Sequence, residues 1–214
     1  MVRKRLVFET FRTRLNQFTK IKIMKKILLT FLAAGSLISA EASVFLYSVS
    51  LNGASEAPTN ASPAFGSGTF AYDDVARTLA INISFSGLSG TTTVAHIHGS
   101  TATPFTGTAG VAHGLVGFTT GLQSLTYSNL VDMSSSAAYG SAFMAANGGT
   151  ALNAEAGFAS HMAAGKMYLN IHSTSYPGGE IRGFLTAVPE PSSLAMLGLG
   201  ALALAVRGRK AIGK

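Results

Sequence analysis

The segment Val94-Ala95-His96-Ile97-His98-Gly99 carries two imidazoles, two residues apart, in an apolar, strand-like run. Neutral imidazole is a common ligand for zinc and copper, and it is also the side chain that changes charge nearest neutral pH. An H-x-H pair on a strand, with a third histidine on a paired strand, can bring nitrogens to about 2 Å from one ion. The third histidine here is His172, in Tyr168-Leu169-Asn170-Ile171-His172. Close by in the chain stand Glu180 and Arg182. These six residues, His96, His98, Asn170, His172, Glu180 and Arg182, allow three chemistries. The first and leading expectation is a structural network, in which Glu180 and Arg182 pair with histidine and asparagine across the sheet, because buried polar groups need partners. The second is a copper or zinc site on His96, His98 and His172. The third is general acid–base catalysis, with a histidine near neutrality and Glu180 as its partner. His113 and His161 are read as solvated surface groups. If Arg182 belongs to a buried network, Arg182→Ala should cost on the order of 2–4 kcal/mol.

Strand alternation must position these groups. Period two sends Val94, His96 and His98 to one surface and Ala95 and Ile97 to the other. Tyr168, Asn170 and His172 share a face opposite Met167, Leu169 and Ile171. Glu180, Arg182 and Phe184 share a face opposite Ile181, Gly183 and Leu185. Between the last two segments, Tyr176-Pro177-Gly178-Gly179 is turn chemistry, with proline presetting φ and glycine supplying positive φ, so an antiparallel hairpin is predicted.

The rest of the middle region reads as short strands separated by Gly, Ser, Thr and Pro. Val44–Leu51 and Gly68–Tyr72 open it, with a turn at Asp73-Asp74. Leu79, Ile81, Ile83 and Phe85 then alternate with Ala80, Asn82, Ser84 and Ser86, the pattern of a half-buried strand. Gly87–Gly90 turns the chain into Thr92–His98, and Val111–Phe118 and Leu122–Tyr127 are weaker strand candidates. Two Ala-rich stretches, Ser134–Asn147 and Ala151–Ala164, read as helices separated by Gly148-Gly149 and closed by Gly165. The fold expected is mostly β, a Greek-key-like antiparallel sandwich with a short Ala-rich helical insertion.

Charge is divided unevenly along the 214 residues, whose formal total is +7. Nine Lys/Arg face two acids up to Ala42, and four face one from Pro189 onward. Residues 43–188 carry three against six, a net of −3. A mildly acidic centre excludes nucleic acid, which requires clustered cations on the folded surface. Cysteine is absent, so disulfides, thiol nucleophiles and thiolate metal sites are excluded as well. There is no Gly-x-Ser-x-Gly elbow, phosphate-binding loop or dinucleotide glycine pattern.

At the N-terminal end, Met24-Lys25-Lys26, the apolar run Ile27–Ile38 and Ala40-Glu41-Ala42 have the order of a secretory signal peptide cleaved after Ala42. Residues 1–23 read as an upstream extension, with Met24 as the expected start. At the other end, Pro189-Glu190-Pro191 precedes thirteen apolar or glycine residues, Leu194–Val206, and then Arg207, Arg209 and Lys210. A helix of that length reaches about 20 Å, short of the ~30 Å hydrocarbon core. This tail resembles the PEP-CTERM sorting signal of Gram-negative bacteria. The resemblance implies a transient stay in the inner membrane, processing by an exosortase and release to the cell surface or extracellular matrix. A lasting C-terminal anchor is the alternative.

VAHIHGSTATP together with KMYLNIHSTSYPGGEIRGFL resembles the CHRD, or chordin-type, domain. The shared marks are His96-Ile97-His98, Tyr168-x-Asn170-x-His172, Gly179-Glu180-Ile181-Arg182-Gly183 and an opening Leu51-x-Gly53-x-x-Glu56-x-Pro58, within residues 47–185. Ser134–Gly149 departs from the family pattern as an insertion. The resemblance implies an extracellular β-rich module with a binding or matrix role. The expectation is therefore an exported binding or structural module without catalysis or cofactor. Its partners would be the export machinery, an exosortase and an extracellular polysaccharide or another surface protein. The alternative is a copper- or zinc-binding protein, or a metalloenzyme like superoxide dismutase, which also places an H-x-H pair on a β-sandwich.

Overall fold

The computed structural model describes residues 43–189. The upstream extension (1–23), the signal peptide (24–42, with Ala40 and Ala42) and the sorting segment from Glu190 on, with Pro191, lie outside the described residues. Nine strands make the body: β1 (Val44–Asn52), β2 (Phe65–Asp73), β3 (Thr78–Ser86), β4 (Thr92–His98), β5 (Val111–Gly114), β6 (Leu125–Asp132), β7 (Tyr168–Ser173), β8 (Ile181–Phe184) and β9 (Thr186–Ala187). They form one sheet in the order β5-β4-β7-β8-β1-β2-β3-β6, with β9 also against β1. Every pairing is antiparallel, and the sheet curls into a half-barrel, so the fold is mostly antiparallel β.

The alternating pattern builds one half of this sheet. β1, β2, β3 and β6 pair in register over eight or nine residues, from Val44↔Asp73 through Phe65↔Ser86 to Phe85↔Leu125. Leu79, Ile81, Ile83 and Phe85 enter the core, while Ser84 and Asn82 meet Thr126 and Ser128 on the outer face. β6 is longer than its own residues announce, because Ser128, Asn129 and Asp132 interrupt the apolar signal but still pair with β3.

The other half, β5-β4-β7-β8, joins at a narrow seam. β8 meets β1 through the single pair Asn52↔Arg182. A Cβ at Gly183 would stand 2.0 Å from the Ser50 carbonyl oxygen, so only glycine permits the backbones to approach there. The inner faces of both halves share one core, where Leu51, Phe70, Ile81, Ile97, Leu169 and Ile171 are fully buried.

Two helices cover part of that core: α1 (Ser141–Ala146) and α2 (Ala151–Ala163). The helix expected over Ser134–Asn147 is shorter, being a 3-10 turn at Ser136–Ala138 and then α1. The break at Tyr139-Gly140 has a tertiary cause. Gly140 N–H donates to the Ala112 carbonyl at 2.9 Å, and a Cβ on Gly140 would lie 2.5 Å from the Val111 carbonyl oxygen. Docking on β5 thus overrides helix propensity. Gly148 and Gly149 take positive φ, the Thr150 hydroxyl caps α2, and Gly165 ends it in the left-handed region. Arg77, in the β2–β3 turn, ties α2 to the sheet by donating to Glu155 Oε2, while Tyr72 donates to Glu155 Oε1 at 3.0 Å.

Candidate functional site

β4, β7 and β8 lie side by side in the registers His96↔Asn170↔Arg182 and His98↔Tyr168↔Phe184, with Val94↔His172. Period two therefore gathers His96, His98, Asn170, His172 and Arg182 on one surface. The alternate residues Ala95, Ile97, Leu169, Ile171 and Ile181 are fully buried behind it.

The three histidines approach one another closely. One ring nitrogen from each lies within 4.8 Å of the other two, and all three side chains are half-buried. His172 Nδ1 is 2.8 Å from the Pro177 carbonyl oxygen, and His98 Nδ1 is 2.9 Å from that of Ala109. A carbonyl can only accept, so on both rings Nδ1 carries a proton, and the neutral form of each ring keeps its lone pair on Nε2. Among the described residues, the buried His98 Nε2 has no hydrogen-bond partner. His96 Nδ1 stands 3.4 Å from His172 Nε2. The His98 ring stacks on Tyr168, with centroids 4.9 Å apart and planes within 3°. Burial, and then the neighbouring imidazoles, push His96 down to about 4. Burial lowers His98 too, partly offset by its bond to Ala109. Both rings are therefore neutral at neutral pH.

Arg182 shares the surface but not the cluster. Its Nε donates to the Ser55 carbonyl and its Nη1 to that of Gly107 at 3.3 Å, while its guanidinium lies 4.8 Å from the Tyr168 ring centre. Its carboxylate neighbour is Glu56, 3.9 Å away. Burial pushes Glu56 up to about 7 against the opposing pull of Arg182 and the Ala57 N–H. Among the described residues, Glu56 Oε1 and Asn170 Oδ1 are buried without a hydrogen-bond partner. Both close on Gly179, where an added Cβ would lie 2.8 Å from Glu56 Oε1 and 2.5 Å from Asn170 Oδ1. With φ at 132°, Gly179 is the residue that both the crowding and the backbone demand.

Glu180 sits elsewhere than expected. It is fully buried, and its Oε1 accepts from the Ser62 hydroxyl and the Ser89 N–H, each at 2.6 Å. Burial alone would raise its pKa, but hydrogen bonding to the carboxylate, with Ser62 and Ser89 on Oε1, holds it below the usual carboxylate range, while Oε2 has no hydrogen-bond partner among the described residues. Alternation does not extend to Glu180 because it lies outside β8, which begins at Ile181, and directly follows Gly179 with its positive φ. The six candidates thus divide into a histidine cluster, an Arg182–Glu56 set beside Asn170, and a Glu180 pocket. They do not form one shared network.

His113 also departs from expectation. It lies on β5 opposite Ile97, is 1 % exposed, and places Nδ1 2.6 Å from the Ala138 carbonyl oxygen, facing the helical insertion. His161 is half-buried near the end of α2. Sequence reasoning assigned no role to Glu56, Ser62 or Ser89. For Glu56 the available signal was its place in the opening Leu51-x-Gly53-x-x-Glu56-x-Pro58, as an isolated acid in an uncharged stretch.

A family model described as the CHRD domain matches residues 47–185, more than half of the chain, and one described as the PEP-CTERM protein-sorting motif matches residues 187–210. No curated protein and no solved structure matches the chain.

Proposed function

The chain belongs to the CHRD domain family and runs from that domain directly into a sorting motif, and on this basis we propose that it is an exported binding module without catalysis of its own, displayed at the cell surface or in the extracellular matrix. The PEP-CTERM motif implies processing by an exosortase and an exported protein sorted to the cell envelope. The last strand, β9, ends at Ala187, so the folded domain would sit close to whatever the processed end is attached to.

One observation carries the binding role. The half-buried histidine cluster lies on the paired strands β4 and β7, while the acids and the arginine nearest to it are held in separate hydrogen-bonded sets. General acid–base chemistry needs an acid or base within reach of a reacting proton and a partner orienting it. Glu180 is bound by Ser62 and Ser89 and stands outside the histidine cluster, and Arg182 is already directed at Ser55, Gly107 and Glu56. A surface of half-buried imidazoles suits recognition of a ligand.

Protease shaving of intact cells tests the reading. The expected result is loss of the domain from the surface fraction, and its displacement when residues 189–214 are deleted. Retention in the cytoplasm regardless of the tail would overturn the display role. Turnover of superoxide by the purified chain, above that of the free ion, would overturn the non-catalytic role in favour of the dismutase-like alternative.

A further inference from the structure

We propose that His96, His98 and His172 bind one divalent transition-metal ion of the copper–zinc class on the half-buried face they share on β4 and β7. This rests on the reading of that surface as the binding part, and it names the ligand.

Geometry is the first support. Two nitrogens bound at about 2.0–2.1 Å to a tetrahedral ion stand roughly 3.3–3.4 Å apart. The His96 Nδ1 to His172 Nε2 separation is 3.4 Å, long for a hydrogen bond and right for an edge of such a site. The third ring nitrogen lies within 4.8 Å of both, a gap that a small rotamer adjustment closes.

Proton placement is the second. The Ala109 and Pro177 carbonyls hold the protons of His98 and His172 on Nδ1, leaving Nε2 as the ligating nitrogen of each ring, with that of His172 facing His96. Histidines that ligate metals commonly donate their other N–H to a carbonyl or carboxylate, which orients the ring and raises its basicity. In the metal-free cluster only His96 has an N–H to share between the two acceptors. Within the cluster, His98 Nε2 is a buried nitrogen with no hydrogen-bond partner among the described residues. A cation satisfies all three lone pairs together, which no arrangement of three neutral imidazoles can do.

The donor set determines the class of ion. Three imidazoles suit zinc and copper, whereas calcium and magnesium require oxygen ligands. Neither Glu56 nor Glu180 belongs to the cluster, and the chain has no cysteine. With three protein ligands the remaining coordination position is left for water or an exogenous group. Stacking of His98 on Tyr168, over which Arg182 lies, holds the site rigid before an ion arrives.

The test uses the purified full chain, stripped with EDTA, incubated separately with zinc chloride and copper(II) chloride, and freed of excess ion by gel filtration. We expect one ion retained per chain, abolished in a His98→Gln/His172→Gln double variant and unchanged in His161→Gln. Far-UV circular dichroism establishes that each variant is folded. Electron paramagnetic resonance of the copper-loaded wild-type chain provides an independent measurement, and it should show hyperfine coupling to imidazole nitrogens even if a variant fails to fold. Absence of retained ion on the folded wild-type chain would overturn the site, as would a spectrum without nitrogen coupling or equal retention by the folded double variant. Surface display is read in cells and metal retention in vitro, so failure of one is distinguishable from failure of the other.

Discussion

Two arginine–glutamate pairs brace the two halves of this sheet, and they are built differently. Arg77 donates through Nε and Nη2 to Glu155, whose other oxygen accepts from Tyr72, so both carboxylate oxygens have partners and the arginine remains 36 % exposed. Arg182 is 7 % exposed and stands 3.9 Å from Glu56, whose second oxygen has no hydrogen-bond partner among the described residues. The more buried pair is thus the less complete one. Taking charges out of water is costly, and the loss is recovered only where close geometry and further hydrogen bonds satisfy the remaining atoms. The Arg77 pair does this at the edge of the fold. The Arg182 pair does not, and it lies beside the histidine surface, where incomplete polar satisfaction is commonly found at functional positions.

The largest expected effect that would sharpen this contrast is that of Arg182→Ala. Removing the guanidinium abandons the Ser55 and Gly107 carbonyls and leaves Glu56 buried alone, so the loss should be on the order of 2–4 kcal/mol, read from the urea midpoint. An unchanged midpoint would show that the buried arginine contributes nothing and would break the comparison.

Glu56→Gln should act in the opposite direction, and only at higher pH. Glu56 is raised from 4.5 to about 7 on folding, so the folded chain keeps a proton that the unfolded chain loses. Stability therefore falls as pH rises through that window, by up to about 3 kcal/mol. Wild type and Glu56→Gln should be similar near pH 4.5, and the variant should be the more stable at pH 8. The histidines contribute with opposite sign, but equally in both proteins, so the difference profile isolates Glu56. A flat difference between pH 4.5 and 8 would show that the carboxyl is not perturbed.

A third acid extends the contrast. Glu180→Gln keeps one acceptor oxygen for Ser62 and Ser89 but loses the charge that strengthens both bonds, for an expected cost of about 1–2 kcal/mol. A cost equal to that of Arg182→Ala would join Glu180 to the Arg182 set. The smallest effect is expected of Arg77→Ala, because water reaches that guanidinium. Its loss should shrink further in high salt, as exposed pairs are screened. A thermal-midpoint change larger than that of Arg182→Ala would reverse the ranking of the two pairs.

Much of the frame was legible in the residues. Leu79, Ile81, Ile83 and Phe85 announced an inner face, Thr92–His98 is a strand over the whole predicted range, and Gly148-Gly149 separates two helices. The joint surface of His96, His98, Asn170, His172 and Arg182 followed from period two once β4, β7 and β8 proved to be neighbours. What eluded sequence reasoning depended on contacts between distant segments. His113 read as a solvated surface group until the turn before α1 covered it, and the helix expected from Ser134 was interrupted by docking on β5.

By itself, then, the sequence determined which side chains share a strand face, because steric alternation is a rule of adjacent residues that needs no partner. Tertiary structure alone decided that Arg182 pairs with Glu56 and not Glu180, that two backbone carbonyls, of Ala109 and Pro177, direct the imidazole lone pairs, and that three rings from two strands converge. Those outcomes depend on where closure of the curled sheet places turns remote in the chain, and on desolvation, which acts on a charge only after other segments have covered it.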